Sequence, residues 1–139
     1  MQDHWEHFAH GADIGLRGFG ATQARAFEQA ALALTGVIAD PSSIQSHESV
    51  SITCKAQDSE LLLVEWLNAL IYQMAVRHLL FGRFEVTLEG TQLKGIAWGE
   101  PISLPRHQPS VEVKGATYTA LRVVQSDSGQ WMAQTIVDV

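Results

Sequence analysis

The chain has 139 residues, 46% of them apolar, with four Trp and five Phe, which is enough for one folded domain and unlike a disordered segment. Nine Lys and Arg against 15 Asp and Glu leave a formal charge of −6 and no basic cluster, which argues against tight direct binding of nucleic acid. No apolar run reaches the roughly 18 residues that cross a bilayer, and the polar, His-rich start does not read as a signal peptide. The single cysteine, Cys54, excludes an internal disulfide, so a reducing, cytoplasmic setting is expected.

The stretch Trp5 to Gly20 opens the chain as extended structure. Ile14, Leu16, Gly18 and Gly20 share one parity and Gly15, Arg17 and Phe19 the other, as in a strand with one buried face. Thr22 suits the N-cap of a helix running to about Thr35, with Phe27, Ala30, Ala31 and Leu34 as its apolar stripe and Gly36 as its stop. Asp40 to Ser43 reads as a loop. Val50, Ile52 and Cys54 alternate with polar residues in a strand over Ser49–Ala56. Asp58-Ser59-Glu60 then opens a second helix, ending near His78 or Leu79, whose stripe of Leu63, Trp66, Leu67, Leu70, Ile71 and Met74 marks it as the main support of the core.

Phe84, Val86 and Leu88, then Leu93, Ile96 and Trp98, predict a hairpin turning at Glu89–Gln92. Pro101, Pro105 and Pro109 mark a loop, with His107 expected to be exposed in it. Thr117–Gln125 and Gln130–Val137 predict a last hairpin around Ser126–Gly129. Helices fall in the first half and antiparallel strands dominate the second. The expected fold is therefore α+β, two helices packed on largely antiparallel β-sheet in a single domain over 1–139.

Asp13 begins one strand and Asp138 ends another, each an uncomfortable place for a carboxylate without a partner. The two ends of the chain are expected to meet, and the two acids with an oxygen of Val139 then offer three hard donors of the kind calcium or magnesium takes. The alternative is that each acid is solvated at a strand end. His4, His7 and His10 recur every third residue, but on a strand His7 points away from the other two, which weakens a zinc reading. Cys54 has no CxxC partner. Lys114, followed by Gly115, either reaches an anionic group as a point charge or pairs with Glu112 at the surface. No P-loop, GxGxxG, GxSxG or HExxH is present.

Taken in order, Trp5-Glu6-His7-Phe8, His10 to Gly15, Ala31 to Leu34 and Leu61 to Leu70 with Trp66-Leu67-Asn68 are a recognisable series. It continues through Gly99-Glu100, His107 with Pro109, Glu112-Val113-Lys114, Ala116-Thr117-Tyr118, Trp131 to Gln134 and Asp138-Val139. With this spacing the chain resembles the archease family from end to end. That resemblance implies an accessory protein, not an enzyme, acting on an RtcB-type RNA ligase. It would promote GTP-dependent guanylylation of the ligase and multiple turnover in tRNA splicing and RNA repair.

The resemblance also implies a divalent metal, calcium above others, held by Asp13, Asp138 and Val139, with Lys114 as a further functional residue. Two positions depart from the family pattern: Gly11 stands where Thr is usual, and Thr119 where His is common. Neither removes a proposed ligand. A chaperone or modulator of RNA-modifying enzymes such as tRNA methyltransferases is the alternative implied by the family. A free-standing metal-dependent hydrolase is a third reading, for which the sequence nominates neither a base nor a pocket.

Overall fold

A hairpin opens the fold: β1 (His4–His10) turns through Gly11-Ala12 into β2 (Asp13–Gly20). The computed structural model describes residues 2–139. Gly11 carries the positive φ (+59°) that lets so short a turn close. Helix α1 (Gln23–Ile38) follows, with the Thr22 hydroxyl accepting the Arg25 N–H at 3.1 Å, then a 3₁₀ turn (Pro41–Ser43) and strand β3 (Glu48–Lys55). Helix α2 (Ser59–Arg77) is capped by the Asp58 carboxylate, which accepts the Leu61 N–H at 2.8 Å, and ends at His78 in the left-handed conformation. Strands β4 (Leu79–Glu89) and β5 (Gln92–Pro101) form the expected hairpin, and a one-turn helix α3 (Leu104–His107) interrupts the Pro-rich loop. Strands β6 (Gly115–Ala116), β7 (Arg122–Gln125) and β8 (Trp131–Asp138) complete the chain.

The strands make two antiparallel sheets. One runs β1-β2-β8-β6, with β7 pairing farther along β8, and the other runs β3-β5-β4. Helix α1 packs on β2 and β4 and so bridges the sheets, while α2 lies against β3, β5 and β6. The close approach of α1 to β2 depends on Gly18, where an added Cβ would strike the backbone of Ala26 and Ala30. Trp66 of α2 is fully buried at the centre. Its indole N–H donates to the Phe27 carbonyl at 3.1 Å, and its ring meets Phe84 edge-on with centroids 6.1 Å apart.

Three sequence expectations change. Gly36 does not stop α1, which continues to Ile38. A Cβ at Gly36 would lie 2.7 Å from the Trp5 ring, so this glycine makes room for a tryptophan that packs on the helix. Strand β4 begins at Leu79, five residues before Phe84, with a register shift between Phe81 and Arg83. The predicted Thr117–Gln125 strand is broken: only Arg122–Gln125 pairs with β8, because the chain swings out through Ala120 at φ +54°.

Candidate functional site

The two chain ends meet in the first sheet. Strand β2 pairs with β8 with Ile14 opposite Val137, so one step farther along that register Asp13 stands opposite Asp138. Opposed residues of an antiparallel pair project from the same face. His10 is opposite Asp13 on the other side, and Gly115 is opposite Asp138, so His10, Asp13, Asp138 and Gly115 form one row across the sheet end. By strand alternation this is the face away from α1, shared with Arg17 and Phe8, whose ring lies 4.1 Å from the Arg17 guanidinium carbon.

Lys114 belongs to the same end. Its backbone N–H donates to the Asp138 carbonyl at 2.9 Å, and its side chain lies at the surface with none of the described ion pairs using it. Those ion pairs engage Glu6, Asp3 and Glu100 among the acids and leave Asp13 and Asp138 open. Two carboxylates and a backbone oxygen of Val139 are hard oxygen donors, which suits calcium or magnesium and not a thiolate-seeking metal. Among the described residues no three His, Cys, Asp or Glu side chains gather at one point. A cation here would complete its shell from a Val139 oxygen, water or a partner.

The histidines are dispersed by β alternation. His7 turns toward α1, its Nε2 2.7 Å from the Ala33 carbonyl, while His4 stacks on Phe19 at 4.4 Å. Cys54 is buried, and that burial, reinforced by Glu65, pushes its thiol up to about 11. It remains a protonated core side chain at neutral pH. Gly11 sits in the turn two residues before Asp13, and Thr119 is exposed on the excursion between β6 and β7, its N–H donating to the Thr117 hydroxyl at 3.2 Å.

His107 is the position where the sequence reading fails. It is buried, not exposed: its Nδ1 accepts the Ser103 N–H at 2.9 Å, which leaves the Nε2–H to donate to Glu100 at 3.0 Å. Glu100, only 4% exposed, also accepts the Gln45 N–H at 2.7 Å and pairs with Arg106. The Arg106 contact first, then the Gln45 amide, lower its carboxyl to about 2. The available signal was a glutamate seven residues before a histidine in a loop, a spacing with no local mechanism attached.

A groove of about 530 Å³ lies between the C-terminal half of α2 and the segment Pro109–Val113, which runs directly into Lys114. Ile71, Met74, Leu79, Ile102 and Val111 supply much of its apolar lining. Elsewhere on α2, Tyr72 and Val76 are 62% and 53% exposed. Among the described residues no helix is long and apolar enough to cross a membrane.

The architecture defines a class: a small α+β protein with two helices on antiparallel sheets and an open acidic sheet end built from both ends of the chain. Residues 5–139 match the Archease protein family (MTH1598/TM1083). The "Protein archease" of Pyrococcus furiosus is 39% identical over 97% of this chain and 98% of its own length. That of Sulfolobus acidocaldarius is 36% identical over the same shares. The solution structure of Methanobacterium thermoautotrophicum protein 1598 superposes with a TM-score of 0.85 at 30% identity, covering 97% of this chain and 98% of that one. A Thermotoga maritima protein, described as an archease and possible chaperone, shares the fold with a TM-score of 0.59 at 16% identity. The chain belongs to the archease family.

Proposed function

We propose that this protein is a cytoplasmic accessory factor of an RtcB-type RNA ligase, promoting GTP-dependent guanylylation of the ligase and its repeated turnover in tRNA splicing and RNA repair. The observation that carries the reading is the β2–β8 register, which brings Asp13 and Asp138 to one sheet end near the Lys114 backbone, with none of the described ion pairs engaging them. Asp13, Asp138 and Val139 would hold a divalent cation, calcium fitting their all-oxygen character. Such a cation supplies positive charge that a phosphate oxygen or a partner's carboxylate can share.

The protein's own residues do the remaining work. Lys114 extends from a backbone anchored on Asp138 and presents a mobile ammonium to an anion at the same end. The net charge of −6 favours docking on a basic protein cleft over direct capture of RNA. The test is ligase guanylylation with GTP, following several turnovers with wild type and with Asp138→Ala. Stimulation by wild type alone is expected; equal stimulation by the variant would sink the reading.

One observation favours a second role, that of a chaperone or modulator of RNA-modifying enzymes such as tRNA methyltransferases. The apolar groove between α2 and Pro109–Val113 is a surface on which a client segment can rest. In that role, stimulation would extend to unrelated clients and survive loss of Asp13.

A further inference from the structure

Strand β6 has only two residues, and β8 pairs with one of its edges. The other edge faces α2. There the Asn68 side chain accepts the Ala116 N–H through Oδ1 at 2.8 Å and donates from Nδ2 to the Ala116 carbonyl at 3.3 Å. In an extended strand the N–H and C=O of one residue point the same way, so a single carboxamide satisfies both and stands in for a neighbouring strand.

The surroundings explain why a side chain has to do this. Past Thr117 the chain leaves β8, swings out and returns as β7 beyond Ala120. Thr117 retains β8 through its N–H and hydroxyl, both reaching the Ile136 carbonyl at 3.0 and 2.9 Å. Two residues before Ala116, the Lys114 N–H meets the Asp138 carbonyl at 2.9 Å. Thus β6 is held on one side by the strand that carries Asp138 and on the other, among the described hydrogen bonds, by those of Asn68. A two-residue strand without its second edge frays, and the segment that aims Lys114 frays with it.

We propose that Asn68 is a positioning residue for the terminal site: its carboxamide pins Ala116 and thereby keeps Lys114 against the end of β8. The link to function rests on the ion-binding reading of Asp13, Asp138 and Val139; the clamp itself does not. Asn68 is exposed and its truncation leaves no cavity, so its variants keep the fold.

The experiment measures amide hydrogen exchange by NMR in wild type, Asn68→Ala and Asn68→Asp, with calcium titrated into each protein. In Asn68→Ala the Ala116 amide is expected to exchange about tenfold faster, the size set by the loss of its hydrogen bond. The Lys114 amide, which Asn68 does not touch, should accelerate with it, while amides of α2 and the melting temperature stay near wild type. Asn68→Asp, which keeps the acceptor for the Ala116 N–H and loses the donor, should recover part of the protection.

Because β6 also holds the end of β8 through the Gly115–Asp138 pair, loosening it loosens a proposed ligand, and calcium affinity should fall severalfold in Asn68→Ala, a change that removes no charge. Unchanged exchange at Ala116 and Lys114 would overturn the proposal whatever calcium does. Faster exchange without calcium binding by wild type would leave the clamp standing and count instead against the ion-binding reading. Faster exchange with calcium affinity equal to wild type would show that the clamp does not serve the site, and would overturn the positioning role.

Discussion

Glu100 and the Asp13–Asp138 pair are the same kind of group put to opposite uses. Glu100 is buried, and its oxygens are taken by the Gln45 amide, Arg106 and His107. Asp13 and Asp138 sit at a sheet end, in the same row, and none of the described ion pairs uses them. A carboxylate that holds a fold together has its lone pairs filled from within the chain. One whose lone pairs stay open is available to something outside it. Location separates the two, since both are carboxylates in acidic surroundings by composition.

The largest effect is expected from breaking the first kind. Glu100→Ala leaves a buried histidine, a backbone amide and Arg106 without their shared acceptor, and should lower the melting temperature more than any substitution at the acidic sheet end. Thermal unfolding followed by circular dichroism checks this, with Glu100→Gln as the milder partner.

Next comes the pH dependence of the same residue. Its carboxyl is lowered from 4.5 unfolded to about 2 folded, so its stabilisation is complete above pH 4.5 and drains away as pH falls toward 2. The stability difference between wild type and Glu100→Gln should therefore be constant near neutrality and shrink across that window. A difference that grew on acidification would contradict the assignment.

The smallest effect belongs to the open acids. Asp13→Asn with Asp138→Asn should leave the melting temperature in a chelator within about 2 °C of the parent, as expected where no internal partner is lost. If the proposed ion-binding role is right, added calcium should raise the melting temperature of wild type and not of the double variant, because a ligand that binds only the folded state stabilises it. A large destabilisation in chelator would mean that these acids are structural after all, and the contrast with Glu100 would collapse.

What was legible in the sequence had local causes. Thr22 and Asp58 each offer a side-chain oxygen just before an apolar stripe, and each caps its helix. Alternation placed β2 and β3, and the broad stripe centred on Trp66 identified the core helix. The acids at the strand ends were visible as anomalies, Asp13 and Asp138 standing where apolar runs begin and stop.

The misreadings share one origin. Gly36 resembles a helix stop until Trp5, 31 positions earlier, is seen lying against it. His107 reads as an exposed loop residue until α3 and the Glu100 carboxylate close around it. The run Thr117–Gln125 has the composition of one strand, yet β8 pairs in its ladder only with Arg122–Gln125 of it and with Gly115–Ala116 before it, the latter braced by Asn68 of α2. By itself the sequence determined the elements with local signals: helix caps, alternation, apolar stripes and the α+β order. Only the tertiary structure decided which edges pair, which polar groups are filled and in which register β2 meets β8, because those depend on contacts between residues far apart in the chain.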